Sequence, residues 1–279
     1  MDVAQVVREL VILHAKVHAV LHVTQHVSIT VNNNYAMRER CKSKETVSLA
    51  THLLKYYVDS IQFGNMRNDY NEGWRIGLSK TITFIVTKDC QLACKYCYLI
   101  RKNSKEIMSW DVAIRSVNYI LDHEDDFPEE SVVFDFIGGE PFLEIGLIDK
   151  VCDYLKKEMF KRNHHWFNSY RFSFSTNGIN YDNELIQRFI VKNKSHVSIG
   201  ITIDGTARKH DMNRIYKGSG RGSYKDVVRN IPLWLTQIEG ASTKVTISSA
   251  DIPYIKESVL HLYSLGIHEV NINCVFEKV

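Results

Sequence analysis

The alternation of strand-like and helix-like segments across residues 81–279 restricts the chain to an α/β fold with a parallel sheet. Six short runs rich in β-branched and aromatic residues predict strands. These runs lie at 82–86, 132–137, 170–174, 197–203, 244–247 and 270–275. Helical patterns between them are typical of βαβ units with right-handed crossovers. Six units are too few for a closed eight-stranded barrel, so the sequence predicts either an open sheet or, as we favour, an incomplete, TIM-like (β/α)6 barrel with parallel strands.

Sequence patterns typical of helices occupy the segments between these strands. The predicted helices cover 109–121, 145–162, 183–191, 223–238 and 252–265. Ser109 stands at an N-cap position and Gly266 at a C-cap position, while Pro232 predicts a kink or a division into two pieces. The first 80 residues lack this alternation of strand-like and helix-like segments. We therefore expect residues 1–80 to form a mainly helical N-terminal extension, with a helix at 45–57, and residues 81–279 to form the core domain.

Composition excludes several classes of partner and location. Hydrophobic residues make up 44% of the 279 residues, enough for a full core, and the net charge is only +3. A charge this small gives no broad field for nucleic acid or an anionic membrane, so neither is expected as a partner. Because no run of about 18 apolar residues and no secretory signal pattern is present, the expected location is cytoplasmic, where thiols stay reduced.

Three of the six cysteines lie within eight residues. Cys90, Cys94 and Cys97 follow the first predicted strand as C-x3-C-x2-C, and three thiolates on one short loop can converge on one metal centre. A structural zinc site needs four ligands, and no fourth ligand stands nearby at zinc-finger spacing. A [4Fe-4S] cluster held by three thiolates leaves one iron open for a ligand, and this is the favoured interpretation. Zinc and buried structural cysteines remain the alternatives.

The other three cysteines, Cys41, Cys152 and Cys274, are scattered, and we expect each to be a small buried residue.

Polar motifs follow the next strands, at the sheet edge where parallel α/β folds bind ligands. Gly138-Gly139-Glu140-Pro141 ends the second strand, and Ser175-Thr176-Asn177-Gly178 ends the third. Thr202 and Asp204-Gly205 end the fourth and lead into His210-Asp211-x-x-Arg214, and Ser248 ends the fifth. Glycines at 138 and 139 allow the backbone to approach a ligand closely, and Glu140 can accept hydrogen bonds from an ammonium. Taken singly, these motifs are ordinary turns, and Arg214 could form a surface ion pair.

Together with Tyr96 just before the last cysteine, these ordered motifs resemble the radical S-adenosylmethionine (SAM) superfamily. The closest likeness is to its maturases of sulfatases and of ribosomally made peptides, including those that act on precursors with cysteine repeats. The resemblance implies a [4Fe-4S] cluster on the three cysteines and SAM as cofactor. The residues that it places around the cofactor are Tyr96, Gly138, Gly139, Glu140, Ser175, Asn177, Thr202, Asp204, Arg214 and Ser248. Among these, Tyr96 would lie near the adenine, Asp204 would bind the ribose, and Arg214 would bind the carboxylate.

The resemblance also implies a reaction. The enzyme would cleave SAM reductively to a 5′-deoxyadenosyl radical and modify a peptide or protein side chain, with thioether or other crosslink formation as the expected outcome. A reduced flavodoxin or ferredoxin would donate the electron. Formylglycine formation of the sulfatase-maturase kind is one alternative. Because the sequence ends at Val279 without a SPASM-type array of auxiliary cysteines, a truncated fragment that binds peptide without turnover is another.

The N-terminal extension contains one further pattern. His14, His18, His22 and His26 recur every four residues, which places them on one face of a helix or of a strand. Such a ladder can chelate a metal, but valine and leucine fill the gaps between the histidines. We therefore favour a polar stripe on an amphipathic segment.

Overall fold

The computed structural model describes residues 79–99 and 104–275, together with two backbone strands at 19–23 and 27–31. Eight strands form one sheet. They are β1 (Ala19–Val23), β2 (Val27–Val31), β3 (Ser79–Thr87), β4 (Ser131–Gly138), β5 (Tyr170–Thr176), β6 (Val197–Thr202), β7 (Ser242–Ile247) and β8 (Glu269–Cys274). Strands β3 to β8 are neighbours in chain order and all pair in parallel. The predicted α/β core of six parallel strands is thereby confirmed.

Helices connect the parallel strands. They are α1 (Trp110–Asp122), α2 (Ile145–Lys161), α3 (Glu184–Lys192), α4 (Ala207–Asn213), α5 (Tyr224–Val228), α6 (Ile231–Gln237) and α7 (Ile255–Ser264). Ser109 caps α1 by accepting the backbone N–H of Val112, as its position predicted. The predicted helix at 223–238 is divided into α5 and α6, and Pro232 stands in the first turn of α6, where it costs no helical hydrogen bond. Gly266 ends α7 with a φ of +85°.

The core lies between the sheet and these helices, because alternate strand residues point toward them. On β4 and β5 the residues that do so are Phe134, Phe136, Phe172 and Phe174, all buried. Phe136 stacks on Phe84 of β3 and on Phe174, with ring centroids 5.4 Å apart in both pairs. This aromatic row fixes the register of three neighbouring strands and aligns their carboxyl ends.

Of the first 78 residues, the structure describes only the strands β1 and β2, and the mainly helical extension expected there stays a prediction, because the other residues lie outside the described part of the chain. The β-branched sequence VSITV of β2 favours an extended backbone, and β2 pairs antiparallel with both β1 and β8. The predicted helix at 45–57 lies outside the described residues. His22 falls within β1, while His14, His18 and His26 lie outside the described residues. None of the helices in the described part of the chain is long and apolar enough to cross a membrane.

Of the scattered cysteines that the structure describes, one is buried and one is exposed. Cys152, on α2, is fully buried, and burial raises the pKa of its thiol well above the usual value, as expected of an inert core residue. The expectation that Cys274 is buried is wrong. It is the last residue of β8 and is exposed, because it extends past the buried part of the strand. Cys41 lies outside the described residues.

Candidate functional site

The cysteine loop leaves the carboxyl end of β3 and pairs with a distant segment. Its backbone runs antiparallel to residues 213–217, which begin at the last residue of α4. Ala93 donates its N–H to the carbonyl of Ile215 (2.8 Å), and Lys95 donates to Asn213 (3.0 Å). In this register Cys94 lies opposite Arg214. This pairing, which joins the cysteine motif to the H-D-x-x-R motif, was not predicted from the sequence.

The three thiols are arranged more widely than one metal ion requires. Cys90 is buried, and Cys94 and Cys97 are half-buried. Around a tetrahedral zinc with Zn–S bonds of about 2.3 Å, sulfur atoms stand about 3.8 Å apart. The trio is not among the groups of described His, Cys, Asp and Glu side chains whose ligand atoms all lie within 4.8 Å of one another. Three thiolate donors on one loop fit a [4Fe-4S] cluster that leaves one iron open for another ligand.

Gly138 and Gly139 pack against the cysteine loop. A Cβ on Gly138 would stand 2.1 Å from the carbonyl oxygen of Thr87, and one on Gly139 would stand 2.1 Å from that of Asp89. Gly139 also donates its N–H to Thr87, and Glu140 donates its N–H to Asp89 (both 2.8 Å). The close approach predicted at this pair is thus an approach to the backbone that leads into Cys90.

Glu140 ties the ends of β4 and β5 together. It is almost fully buried, and its carboxylate accepts the hydroxyl of Thr176 (2.6 Å) and the N–H groups of Asn177 (2.7 Å) and Phe142 (3.1 Å). Burial raises the pKa of Glu140, and these three donors oppose the rise. In this arrangement most of the acceptor capacity of the carboxylate is taken up by the protein itself.

Asn177 connects this network to the cysteines. Its side-chain amide donates to Gln91 (3.1 Å) and lies 3.8 Å from the sulfur of Cys90. Gln91 was not singled out from the sequence, and only its place inside the cysteine motif could have suggested it.

A second buried network joins Tyr96, Asp204 and Arg214. The Tyr96 hydroxyl donates to Asp204 (2.5 Å) and accepts from Nη1 of Arg214 (2.9 Å). The other oxygen of Asp204 accepts the N–H of Thr246 (3.2 Å). Burial raises the pKa of Asp204, while Arg214 and the bonds from Tyr96 and Thr246 oppose the rise. Burial raises the pKa of Tyr96 far above its usual range, which keeps the phenol protonated. Burial alone would lower the pKa of Arg214, but Tyr96, Cys94 and Asp204 together raise it.

His210 and Asp211 of the H-D-x-x-R motif fix the backbone around this network. His210 is fully buried; its Nδ1 accepts the N–H of Asp204 (3.3 Å), so Nε2 carries the proton and donates to Ser223 (3.0 Å). Ser223 in turn donates to the carbonyl of Arg214 (2.8 Å). Asp211 accepts the N–H of Tyr224 (2.8 Å). The helix α4 that carries both residues was not predicted from the sequence.

The face of the sheet that turns away from the helices is mostly polar and partly exposed; we call it the open face. Its side chains alternate with the buried ones along each strand, and include Thr83, Ile85, Val133, Asp135, Ile137, Ser173, Ser175, Thr202, Lys244, Thr246, Asn271 and Asn273. Lys244 donates to Ser175 (2.8 Å) and is the β7 partner of Thr202 on β6. A closed barrel would fill this face with branched apolar side chains, so its polarity marks a surface suited to a polar ligand.

Ser248 stands apart from the other predicted site residues. Its N–H (2.7 Å) and hydroxyl (3.0 Å) both donate to Asp251 at the start of a 3-10 helix, Ser249–Tyr254. The hydroxyl is therefore engaged in capping this turn.

One His and Glu cluster does bring its ligand atoms together, on the opposite edge of the sheet. Glu124, His164 and His165 lie within 4.8 Å of one another. The two imidazoles stack with an angle of 18° between their planes, so their in-plane lone pairs cannot converge on one ion. His165 is bonded to Glu124 and to the carbonyl of Glu129. Glu124, His164 and His165 thus join the two loops that precede β4 and β5.

Comparison with known proteins shows the family of this chain and two of its sequence relatives. A family model described as the Radical SAM superfamily matches residues 84–248. The uncharacterized protein MJ0907 of Methanocaldococcus jannaschii is 26% identical over 207 residues, or 71% of this chain and 64% of the relative. The uncharacterized protein sll1766 of Synechocystis is 27% identical over 191 residues, or 67% of this chain and 45% of the relative. The chain therefore spans less than two thirds of the length of either curated relative.

Solved structures share the fold. Native anSMEcpe with bound AdoMet superposes with a TM-score of 0.60 at 20% identity, over 71% of this chain and 52% of that chain. Native anSMEcpe with bound AdoMet and the Kp18Cys peptide gives 0.59 at 21% identity, over 71% and 51%.

Proposed function

Because the chain belongs to the radical SAM superfamily, whose enzymes use a [4Fe-4S] cluster and SAM, we propose that Cys90, Cys94 and Cys97 hold that cluster at the carboxyl edge of the sheet. A cluster held by these three cysteines would supply the one electron needed for reductive cleavage of SAM to methionine and a 5′-deoxyadenosyl radical. The observation that carries the proposal is the placement of three thiols on one loop, braced by Gly138, Gly139 and the Tyr96 network.

The described residues divide into two roles in this proposal. Asn177, Gln91 and the glycine pair hold the cysteine loop in place, while Ser175, Thr202 and Thr246 present hydroxyls on the open face, where SAM would lie. Asp204 and Tyr96 connect the loop to the end of β6. Ser248 is a weaker candidate for cofactor binding, because its hydroxyl is already engaged with Asp251.

We further propose that the substrate is a peptide or protein side chain and that the electron comes from a reduced flavodoxin or ferredoxin. The open face supports a peptide, because its hydroxyl and amide side chains can bond main-chain groups. The structure of anSMEcpe with AdoMet and the Kp18Cys peptide has the same fold, although the likeness extends only to the fold. We also propose that the N-terminal extension ends at residue 80 and the core domain begins at residue 81. For the substrate, we propose that the bond formed is a thioether or another crosslink.

The test is anaerobic reconstitution with iron and sulfide, followed by addition of dithionite and SAM. Chromatography should detect 5′-deoxyadenosine from the wild type and from Cys274→Ala, whose exposed thiol lies outside the trio. Cys94→Ala should yield none. A brown protein that forms no product would contradict turnover by this chain alone, and a colourless protein without iron would contradict the cluster itself.

A further inference from the structure

Arg214 lies beside the cysteine loop, a position that the sequence motif alone did not indicate. The antiparallel pairing of residues 91–95 with 213–217 places it directly across from Cys94, and an isolated bridge between Leu92 and Tyr216 continues the same register. Its guanidinium is also held to the cysteine loop by the hydroxyl of Tyr96 (2.9 Å).

The guanidinium is buried and incompletely bonded. Arg214 is 7% exposed, and its Nε has no hydrogen-bond partner among the described residues. A buried charged donor without a partner is costly, so such an atom points to an acceptor that belongs at the site. Thiolate and sulfide sulfurs of a cluster are acceptors of this kind.

We propose that Arg214 sets the reduction potential of the cluster through its buried positive charge and by N–H···S donation to sulfur atoms of the cluster. This inference rests on the cluster assignment proposed above. Two positive charges on the oxidised core and three thiolates sum to one negative charge, and one electron from a reductant such as dithionite makes two. A fixed buried cation stabilises the more negative state more strongly, because water screens it little. Arg214 therefore makes the cluster easier to reduce.

The sequence motif predicted a different role, in which Arg214 binds the carboxylate of SAM. In the structure, Arg214 is directed at the cysteine loop by Tyr96, whereas Lys244 is the exposed cation that borders Ser175 and Thr202. The two roles predict different outcomes when Arg214 is changed.

The experiment is a potentiometric titration of the reconstituted protein without SAM, followed by electron paramagnetic resonance of the reduced cluster. Arg214→Gln should reduce the equilibrium constant for reduction at least about tenfold, a shift of about 59 mV to more negative potential for a one-electron couple. Arg214→Lys keeps the charge and should keep most of the potential. Arg208→Gln removes an exposed arginine from α4, the helix that precedes Arg214, and should leave the potential unchanged.

SAM binding to the reconstituted proteins, measured by calorimetry, separates the alternatives. An unchanged potential in Arg214→Gln, with or without weaker SAM binding, would overturn the inference. If Arg214→Gln does not retain iron, Arg214→Met, which also removes the charge, decides: a potential about 59 mV or more below that of the wild type supports the inference, and an unchanged potential overturns it. A wild type that holds no iron contradicts the proposed function instead.

Discussion

The carboxylate of Glu140 accepts the backbone N–H of Asn177 across 2.7 Å, and this bond connects the ends of β4 and β5 beside the cysteine loop. The side chain of the same Asn177 reaches Gln91 and the sulfur of Cys90. A carboxylate on one strand end is thus linked through one asparagine to the first cysteine.

Glu140→Ala should lower the free energy of unfolding by about 3 kcal/mol or more, because three buried donors lose their acceptor. Glu140→Gln keeps one carbonyl oxygen and should cost less. Urea denaturation of the iron-free protein measures both, with Glu257→Ala, an exposed position on α7, as the control. A loss in Glu140→Ala no larger than in Glu257→Ala would show that the network is unimportant for stability.

Gly139→Ala should displace the cysteine loop, because its Cβ would stand 2.1 Å from the carbonyl oxygen of Asp89. Overpacking of this kind costs about 1–3 kcal/mol, and we expect most of the iron to be lost on reconstitution. Gly146→Ala is the matched control, since a Cβ at this position of α2 meets nothing within 4 Å. Iron analysis that finds equal occupancy in both variants would contradict the structural role of Gly139.

His210 should make stability depend on pH. Burial, together with Arg214 and Lys209, holds its pKa well below 6.5, so the folded protein keeps it neutral. The unfolded chain takes up a proton below about pH 6.5. The contribution of neutral His210 to the free energy of unfolding is therefore complete above that pH. It is lost as the pH falls toward the lowered pKa of His210 in the folded protein.

The test compares urea midpoints at pH 7.5 and 5.5 for the wild type, His210→Gln and His268→Gln. The acid-induced loss should be smaller in His210→Gln than in the wild type. His268 is exposed, and its variant should behave like the wild type. Equal losses in all three proteins would exclude His210 as a source of acid sensitivity.

Lys209 and Asp251 form a buried ion pair at 3.0 Å that holds the end of β7 against α4. Lys209→Met should cost about 3–5 kcal/mol, because it leaves a buried carboxylate without its cation. The double variant Lys209→Met/Asp251→Asn should lose less than the sum of the two single losses. Chemical denaturation of the four proteins gives the coupling free energy, and additive losses would show that the pair does not interact.

The sequence predicted the six parallel strands well, because each is a short apolar run that ends in a polar turn. The family resemblance drawn from motifs at successive strand ends is confirmed by the match over residues 84–248. Local patterns could not reveal that Cys94 faces Arg214, since this pairing depends on a loop far along the chain. Nor could they reveal α4, whose seven residues are held by the Thr206 cap and the buried His210 rather than by a long apolar stripe. The roles of the individual cofactor-binding residues stay predictions.

We propose that Cys90, Cys94 and Cys97 hold a four-iron cluster with one iron left for SAM. Mössbauer spectroscopy of protein reconstituted with ⁵⁷Fe, recorded with and without SAM, tests this assignment. We expect a [4Fe-4S] spectrum in which the signal of one iron changes on addition of SAM, and no such spectrum from Cys94→Ala. A spectrum in which no iron responds to SAM, or the same cluster in Cys94→Ala, would contradict it.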